Sequence, residues 1–360
     1  MSAKIRVLIV DDSALVRRLL ADVIGGDPLL EVVGMASNGR LALDMLSRLQ
    51  PDVVTLDVEM PELDGLGTIR ALRRTHSRLP VIMFSTLTER GAEATLDALS
   101  LGANDYVTKP SNVGGVLAGM QAVRESLIPK IKALAGRDVR AGGAAPASPS
   151  IRRPMVSRRG AAIEIVVIAT STGGPNALAE VVPKLPAGFL VPVAIVQHMP
   201  PMFTAQLAAR LDQRSALRVR EGVAGQTLQA GDVWIAPGGF HLRLASSLLK
   251  KTLVTDQAPP ENSCRPAADV LFRSAAEVYG AGVLGVVMTG MGCDGLKGSE
   301  AILASGGRVI CQDKATSTVW GMPGAVASLA DAVLPLAQIA DRIVHEVHSS
   351  RAPALAMVKS

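Results

Sequence analysis

The chain has 360 residues, 48% hydrophobic and 19% charged, which suffices for two well-packed domains and excludes a disordered protein. Aromatic residues account for only 2% of the sequence, which argues against binding of single-stranded nucleic acid, because that binding stacks bases on aromatic rings. The net charge of +5 lies in one segment, residues 136–160, where six arginines face one aspartate, so the remainder predicts no basic groove for nucleic acid.

The cysteines and the apolar runs indicate the compartment. Cys264, Cys293 and Cys311 show no CxxC spacing, so we expect neither a disulfide framework nor a zinc site. The N-terminal apolar run Ile5–Val10 is too short for a signal peptide, and no stretch reaches the roughly 18 apolar residues of a membrane span. We therefore expect a cytoplasmic protein without membrane insertion.

Residues 1–128 alternate short apolar runs with amphipathic segments of helical period. Five strands that each precede a helix are typical of a doubly wound parallel sheet. We therefore predict an α/β domain of flavodoxin-like type with a five-stranded parallel sheet. The predicted strands are Ile5–Val10, Glu31–Met35, Val53–Leu56, Val81–Phe84 and Tyr106–Val107.

The composition changes after this domain. Residues 129–160 are rich in Gly, Pro, Ser, Ala and Arg without a hydrophobic period, which predicts a flexible linker. Residues 161–350 alternate again and predict a second doubly wound α/β domain, with a mainly parallel sheet and a small antiparallel hairpin; residues 351–360 form a tail. The predicted strands are Ile163–Ala169, Val193–Gln197, Val233–Ala236, Leu242–Leu244, Thr252–Val254, Val283–Thr289 and Arg308–Ile310. The third to fifth of these are short and closely spaced, as in hairpins.

Three carboxylates lie at strand ends of the first domain. Asp11 and Asp12 follow the first strand, and Asp57 follows the third. The carboxyl ends of parallel strands meet at one edge of a sheet, where these groups would repel each other without a divalent cation. Such oxygen ligands suit Mg²⁺, and a carboxylate beside the ion can accept a phosphoryl group. For Asp12 alone, a helix N-cap is an equally good interpretation.

Polar residues also follow the fourth and fifth strands of this domain. Ser85, or Thr86 after it, could donate a hydrogen bond to a phosphoryl oxygen. Lys109 offers a cation for the phosphate. It precedes Pro110, where we expect a cis-proline turn. These four strand ends together predict a phosphorylation site.

The second domain opens with the motif ATSTGGP. Ser171 follows a buried strand and precedes two glycines and a helical segment, so its hydroxyl is expected close to backbone N–H groups that could stabilise an oxyanion. A phosphate-binding loop is the alternative interpretation. No lysine follows the glycines and the GxGxxG spacing is absent, which disfavours that alternative.

Two later motifs supply partners for Ser171. His198 follows the next strand in VQHMP, and Asp294 follows a long apolar strand through the turn MGCDG. Alone, His198 would more often be a core histidine, and Asp294 a turn residue. Together the three predict a Ser/His/Asp triad at one edge of the sheet, in which Ser171 attacks an acyl carbon, His198 transfers the proton and Asp294 orients the imidazole.

The first domain resembles the response-regulator receiver family. The resemblance rests on VDDS, LDVEMPELDG, MFST and DYVTKP in this order. It implies that Asp57 takes a phosphoryl group from a histidine kinase, and that the backbone carbonyl of Glu59 joins the three aspartates around Mg²⁺. The implied switch residues are Ser85 or Thr86, Tyr106 and Lys109.

Nearly the whole chain resembles CheB, the chemotaxis family of protein-glutamate methylesterases. The family triad matches Ser171, His198 and Asp294. Met291 matches a residue whose backbone N–H serves the oxyanion hole, and Thr172 lies beside the nucleophile. The motifs that carry the resemblance are IATSTGGPNAL, VQHMPPMFTAQLA, WIAPGGFHL, RPAADVLFRSAAE, MTGMGCDGLKG and DKATSTVWGMP. No role is assigned to Cys293.

This resemblance implies a phosphorylation-activated carboxylic ester hydrolase of two-component signalling. It would hydrolyse glutamate methyl esters on methyl-accepting chemoreceptors, release methanol, and also deamidate receptor glutamines. The only implied cofactor is Mg²⁺ in the receiver, with none for the esterase. Two alternatives stay open: a phosphorylation-gated signalling scaffold without turnover, and a methylesterase of a non-chemotactic sensory array.

Overall fold

The computed structural model describes residues 3–110, 116–136, 161–247 and 250–351. The chain divides into two compact units, Met1–Pro146 and Ala147–Ser360. Each unit is built around its own parallel sheet. Within the described ranges, no helix combines the length and apolarity needed to cross a bilayer.

The N-terminal unit is a parallel sheet connected by helices. Its strands are β1 (Ile5–Val10), β2 (Leu30–Ala36), β3 (Val53–Asp57), β4 (Val81–Ser85) and β5 (Asp105–Thr108). Its helices are α1 (Ala14–Gly25), α2 (Gly39–Leu49), α3 (Gly65–Thr75), α4 (Glu89–Ser100) and α5 (Val116–Leu134). The strands pair in the order β2-β1-β3-β4-β5, all parallel, which confirms the predicted flavodoxin-like fold.

One face of this sheet packs against α1 and α5. Alternate residues of β1, at positions 5, 7 and 9, join apolar side chains of both helices in one buried cluster. Helix α5 continues to Leu134 and buries Ile131 completely, so residues 129–134 are helical and the predicted linker begins too early. Residues 137–160 of that linker and residues 352–360 of the tail lie outside the described residues.

Side-chain caps start four helices of this unit. Ser13, Asn38, Asp64 and Thr88 each accept a hydrogen bond from a backbone N–H of the first helical turn. Asp12 is therefore not the cap of α1, and the N-cap interpretation of this residue is wrong. Its carboxylate remains available at the end of β1.

The C-terminal unit is a larger doubly wound sheet. Its strands are β6 (Ile165–Thr170), β7 (Val193–Gln197), β8 (Arg218–Glu221), β9 (Asp232–Ile235), β10 (His241–Ser246), β11 (Lys251–Asp256), β12 (Val283–Val287), β13 (Arg308–Gln312) and β14 (Ala332–Leu334). Its helices are α6 (Gly174–Val181), α7 (Phe203–Asp212), α8 (Ala268–Tyr279), α9 (Leu296–Ala304), α10 (Met322–Val326) and α11 (Leu336–Arg351). Seven strands pair in parallel in the order β14-β13-β12-β6-β7-β9-β8, and β10 and β11 form the predicted antiparallel hairpin.

Several local predictions differ from the structure. The segment around Val233, predicted beside the hairpin, is β9 of the parallel sheet and is fully buried. The two edge strands β8 and β14 were not predicted, because both are short and β8 carries charged residues that suit an edge. Among the described residues the cis peptide bond precedes Pro266, so the cis bond expected before Pro110 is wrong.

Helices α8 and α9 pack closely next to β12. Phe272 of α8 is fully buried, and a Cβ atom on Gly298 of α9 would lie 2.4 Å from the Cβ atom of Phe272. The N–H of Gly298 also donates to Oδ1 of Asp269, at 2.7 Å. The close approach of the two helices therefore requires a glycine at position 298.

Gly298→Ala is expected to destabilise the C-terminal unit, because the added methyl group would push α8 and α9 apart. The expected loss is about 1–3 kcal/mol in the free energy of unfolding. Urea unfolding followed by circular dichroism measures it. Gly188→Ala is the matched control, since a Cβ atom there meets nothing within 4 Å. Equal unfolding midpoints for the two variants would contradict this packing.

Candidate functional site

Three neighbouring strands bring the predicted triad to one edge of the C-terminal sheet. β6 lies between β12 and β7, and all three run parallel. Ser171 follows β6, His198 follows β7, and Asp294 lies in the loop after β12. His198 and Asp294 therefore approach each other from opposite sides of the central strand. The chain reverses its direction of winding at β6, and ligands of parallel sheets bind at such switch points.

Ser171 lies on a tight turn between β6 and α6. Its N–H donates to the carbonyl of Thr289 at 3.0 Å, and its carbonyl accepts from the N–H of Gly174 at 2.8 Å. A Cβ atom on Gly290 would lie 2.9 Å from the Cβ atom of Ser171. Gly173 has a φ of +78°, in the left-handed region that favours glycine. The glycines of this turn thus fix the half-buried serine at the start of α6.

His198 and Asp294 form a hydrogen-bonded pair. Nε2 of His198 lies 2.7 Å from Oδ2 of Asp294. The two side chains are 12% and 2% exposed, respectively. Burial by itself lowers the pKa of His198, but the hydrogen bonds and charges of Asp294 and Cys264 together outweigh it, and the pKa lies above its ordinary value. Asp294 therefore favours the imidazolium that forms when His198 accepts a proton.

Four further donors hold the buried carboxylate of Asp294. Oδ2 accepts from the N–H of Ala268 at 2.6 Å, and Oδ1 accepts from the N–H groups of Asp269 and Gly295 at 3.0 and 3.1 Å. The side-chain amide of Asn262 donates to Oδ1 at 2.8 Å. The first two residues open α8, so the carboxylate lies at the positive end of a helix dipole. Burial raises the pKa of Asp294, but the imidazole and these donors bring it below its ordinary value.

A two-residue turn before α8 reaches into the site. Glu261 and Cys264 exchange backbone hydrogen bonds of 3.1 and 2.9 Å. Asn262 and Ser263 between them have φ values of +53° and +61°, as in a type I′ turn. Arg273 of α8 binds the carboxylate of Glu261 through two hydrogen bonds of 2.7 and 2.6 Å. The turn is therefore fastened to the helix that also holds Asp294.

The turn contributes an amide and a thiol. Nδ2 of Asn262 donates to Oδ1 of Asp294 at 2.8 Å and to Oδ2 of Asp269 at 2.9 Å, so one amide joins two carboxylates. Burial raises the pKa of Asp269 above its ordinary value. Sγ of Cys264 lies 3.5 Å from Nδ1 of His198. The thiol thus contacts the ring nitrogen that Asp294 does not use.

The ring nitrogen that Asp294 leaves unbound determines what the site can do. Nε2 of His198 faces Asp294, so Nδ1 is the atom that can take a proton from the Ser171 hydroxyl. Among the hydrogen bonds of the described residues, none joins that hydroxyl to His198. Such contacts are often formed only when substrate binds. The arrangement can therefore serve acyl transfer once the serine side chain turns toward Nδ1.

The residues predicted for the oxyanion hole flank the nucleophile. Thr172 is buried, and its carbonyl accepts a hydrogen bond from Oγ1 of Thr289 at 2.9 Å. Met291 follows Gly290, the residue packed against Ser171. The N–H of Gly290 is used by the loop after β13, at 3.1 Å. The backbone of Met291 is therefore positioned close to the serine by its neighbour.

The acidic residues of the N-terminal unit meet at the ends of β1 and β3. Carboxylate oxygens of Asp11, Asp12 and Asp57 lie within 4.8 Å of one another. Nζ of Lys109 lies 3.1 Å from Oδ2 of Asp11 and 2.8 Å from Oδ2 of Asp57. Burial, together with the charge of Asp11, raises the pKa of Asp57 to about 6 although Lys109 opposes this. Three carboxylates against one ammonium form a cluster suited to a metal ion.

A cavity of about 190 Å³ opens at this cluster. The hydroxyl of Ser85 donates to the carbonyl of Gly91 at 3.1 Å, whereas the exposed Thr86 contacts the hydroxyl of Thr88 at 3.3 Å. Tyr106 is buried in β5 and does not line the cavity. The predicted phosphorylation-site residues in the lining are Asp12, Asp57, Glu59, Ser85, Thr86 and Lys109.

Known proteins resemble both units. Residues 7–120 match the response regulator receiver domain, and residues 166–343 match the CheB methylesterase domain. The protein-glutamate methylesterase/protein-glutamine glutaminase of Trichodesmium erythraeum (strain IMS101) is 48% identical over 349 residues, which cover 96% of this chain and 99% of that protein. The chain belongs to the CheB methylesterase family.

A second relative and a solved structure agree with this assignment. The protein of the same name from Nocardioides sp. strain JS614 is 50% identical over 355 residues, which cover 96% of each chain. The crystal structure of the Thermotoga maritima CheB methylesterase catalytic domain superposes with a TM-score of 0.50 at 44% identity. It covers 51% of this chain and 98% of that one, so the likeness concerns the CheB esterase unit.

In this CheB esterase unit the sequence indicated the triad but not its supports. Asn262, Cys264 and Asp269 were given no role, although they contact Asp294 or His198 directly. One signal was present, because asparagine tolerates the left-handed backbone of a tight turn. That signal locates a turn but does not tell which carboxylates its amide will meet.

Asn262→Asp is expected to destabilise the esterase unit at neutral pH by about 2 kcal/mol, because a third carboxylate replaces the donor shared by Asp269 and Asp294. Repulsion raises the pKa values of these carboxylates in the folded state. The part of the destabilisation that comes from this repulsion is therefore present above those pKa values and is lost as pH falls through them. Urea unfolding between pH 4 and 8 measures this.

Asn262→Gly is the matched control for the charge. It removes the same two hydrogen bonds, and glycine accepts the φ of +53° without adding a carboxylate. Its loss of stability should depend much less on pH than that of the aspartate variant. Identical pH dependence in the two variants would show that repulsion between carboxylates is not the cause.

Proposed function

We propose that this chain is a phosphorylation-activated protein-glutamate methylesterase. It hydrolyses glutamate methyl esters on methyl-accepting chemoreceptors during chemotactic adaptation, and it deamidates receptor glutamines at the same site. The observation that carries the proposal is the His198–Asp294 pair, 2.7 Å apart, at the strand edge where Ser171 ends the central strand. The names of the relatives support both activities.

In the first half of the reaction, Oγ of Ser171 attacks the ester carbonyl carbon while Nδ1 of His198 takes the hydroxyl proton. Asp294 stabilises the resulting imidazolium through Nε2. The tetrahedral intermediate then collapses, the bond to the methoxy group breaks, and Nδ1 returns the proton so that methanol leaves. For a glutamine substrate the leaving group is ammonia.

In the second half, water attacks the acyl-enzyme. His198 removes a proton from that water and returns it to Oγ of Ser171, which releases a glutamate side chain. The negative charge on the carbonyl oxygen of both intermediates requires hydrogen-bond donors. We assign that work to the backbone N–H of Met291 and to the start of α6 beside Thr172.

The receiver unit supplies the control. We assign Asp57 as the acceptor of a phosphoryl group from the histidine kinase of the pathway, with Lys109 binding the phosphate. The proposed switch residues are Ser85 or Thr86, and Tyr106. The geometry in support is the cavity at Asp57, whose walls carry a lysine and two hydroxyl side chains.

The acidic cluster fits Mg²⁺. Oδ2 of Asp11 is buried and, apart from its ion pair with Lys109, has no hydrogen-bond partner among the described residues. Oxygen ligands of high charge are those that Mg²⁺ prefers. Asp11, Asp12, Asp57 and the carbonyl of Glu59 would hold the ion. When bound, it would neutralise charge on the incoming phosphoryl group.

We place the protein in the cytoplasm, where a kinase can reach the receiver and a receptor tail can reach the esterase. The unpaired cysteines support a reducing compartment, since Cys293 is exposed and Cys264 is partly exposed without forming a disulfide. We propose no nucleic-acid partner and no membrane insertion. No feature of the described residues favours a scaffold without turnover.

Ser171→Ala is expected to reduce methanol release from methylated receptor membranes by about 10⁴-fold, because the nucleophile is lost. Methanol is measured by gas chromatography under single-turnover conditions. Ser247→Ala, in the exposed loop between β10 and β11, is the control and should retain full activity. Unchanged release from the Ser171 variant would refute the esterase mechanism and leave the scaffold as the better explanation.

Asp57→Asn is expected to abolish the increase in methanol release that acetyl phosphate and Mg²⁺ produce in the full-length protein. The amide cannot form the acyl phosphate. Asp44→Asn, an exposed aspartate on α2, is the matched control and should keep the whole increase. Stimulation that survives in the Asp57 variant would show that another group receives the phosphoryl group.

A further inference from the structure

The imidazole of His198 faces two polar side chains on opposite edges. Asp294 binds Nε2 at 2.7 Å, and Sγ of Cys264 lies 3.5 Å from Nδ1, within the hydrogen-bonding range of sulfur. Carboxylate, imidazole and thiol therefore lie in sequence, as in a Cys/His/Asp arrangement. The same Nδ1 is the atom that the proposed mechanism reserves for Ser171.

The thiol is held in place by the element that positions Asp294. Cys264 closes the turn whose first residue, Glu261, is bound by Arg273 of α8. The amide of Asn262 in the same turn donates to Asp294. These bonds hold the backbone of Cys264 beside the imidazole. Its contact with Nδ1 is a feature of the folded site.

We propose that Cys264 is a positioning residue of the esterase, whose thiol occupies Nδ1 of His198 in the substrate-free enzyme and yields it to Ser171 when an ester binds. This inference rests on the proposed methylesterase function. Ser171 and Cys264 then share one base. The thiol hydrogen-bonds to Nδ1 in the resting state, and no other reactant is needed because no covalent bond forms or breaks.

The charged groups around His198 and Cys264 determine whether the thiol raises or lowers the pKa of the imidazole. Asp294 faces the imidazole from the loop after β12, and Asp269, Glu261 and Arg273 lie behind it, with Lys297 close to Glu261. Burial lowers the pKa of His198, and the interactions with Asp294 and Cys264 together raise it above its ordinary value. Removing the thiol should therefore make the neutral base available at lower pH.

The deciding measurement is the pH dependence of kcat/KM for methanol release by the full-length protein with acetyl phosphate and Mg²⁺. Cys264→Ala and Cys264→Ser should both move the acidic limb of the profile down by about one pH unit. Cys293→Ala is the matched control, because that cysteine is exposed and neighbours Asp294 in sequence but has no contact with Nδ1 among the described residues. An acidic limb that stays in place in both Cys264 variants would overturn the proposal.

A second measurement does not depend on esterase turnover. Iodoacetamide at pH 6 should alkylate Cys264 about tenfold faster than Cys293 in the same chain, because the imidazole in contact with Cys264 can accept the proton that its sulfur loses on alkylation. His198→Gln should remove that difference. Cys311, buried with a pKa of about 12 because of burial, provides an unreactive internal reference. Peptide mapping by mass spectrometry separates the three rates.

The two measurements keep the proposals separate. If Ser171→Ala retains methanol release, the proposed function fails, and the alkylation rates alone decide whether Cys264 is coupled to His198. If Ser171→Ala loses activity while Cys264 and Cys293 are alkylated at equal rates with and without His198, the methylesterase stands and the positioning role of Cys264 is refuted.

Discussion

The buried carboxylate of Asp294 is the interaction on which the hydrolytic site depends. An ionised group removed from water costs several kcal/mol unless it is paired and hydrogen-bonded. Here the first N–H groups of α8, the N–H of Gly295, the amide of Asn262 and the imidazole of His198 surround both oxygens. Because the carboxylate takes Nε2, it leaves Nδ1 as the nitrogen that would act as the base in the proposed mechanism.

The need to pair the buried carboxylate of Asp294 also explains why several loops converge at the site. Asp294 contacts His198 across the end of β6, so the turn that carries Ser171 must be tight enough to leave room for that contact. Gly290 permits this by packing against the serine. The side chain of the buried Gln312 accepts a hydrogen bond of 2.8 Å from the N–H of Thr289, which fixes the start of the loop after β12. A change in the packing of these loops would separate the three triad residues although each stays on its own strand.

The sequence predicted those features that follow from the hydrophobic period and from the positions of strand ends. The buried strands, the acidic cluster and the triad all follow apolar runs, and parallel strands bring such positions together without knowledge of the loops. The supports of Asp294 were not predictable in this way. Asn262 acts through a tight turn, and the sequence allows the left-handed backbone of its two central residues without requiring it. Cys264 contacts His198 from the same turn, which Arg273 binds to α8 through a contact distant in sequence. The edge strands β8 and β14 were not predicted, because they are short and their apolar signal is weak.

Each unit has an aspartate at the carboxyl edge of its sheet, Asp57 at the end of β3 and Asp294 in the loop after β12, and the two have opposite electrostatic surroundings. Burial raises the pKa of Asp294, but the imidazole of His198 and the N–H donors at a helix start lower it below its ordinary value and favour the ionised form. Asp57 is buried beside Asp11, so its pKa rises to about 6 even with Lys109 nearby. A carboxylate that stays ionised can orient a base permanently. One that is only partly stabilised needs a further cation to become a nucleophile, which makes its chemistry conditional on binding. In the proposed function, that difference suits Asp294 to a constant part of the catalyst and Asp57 to a switch.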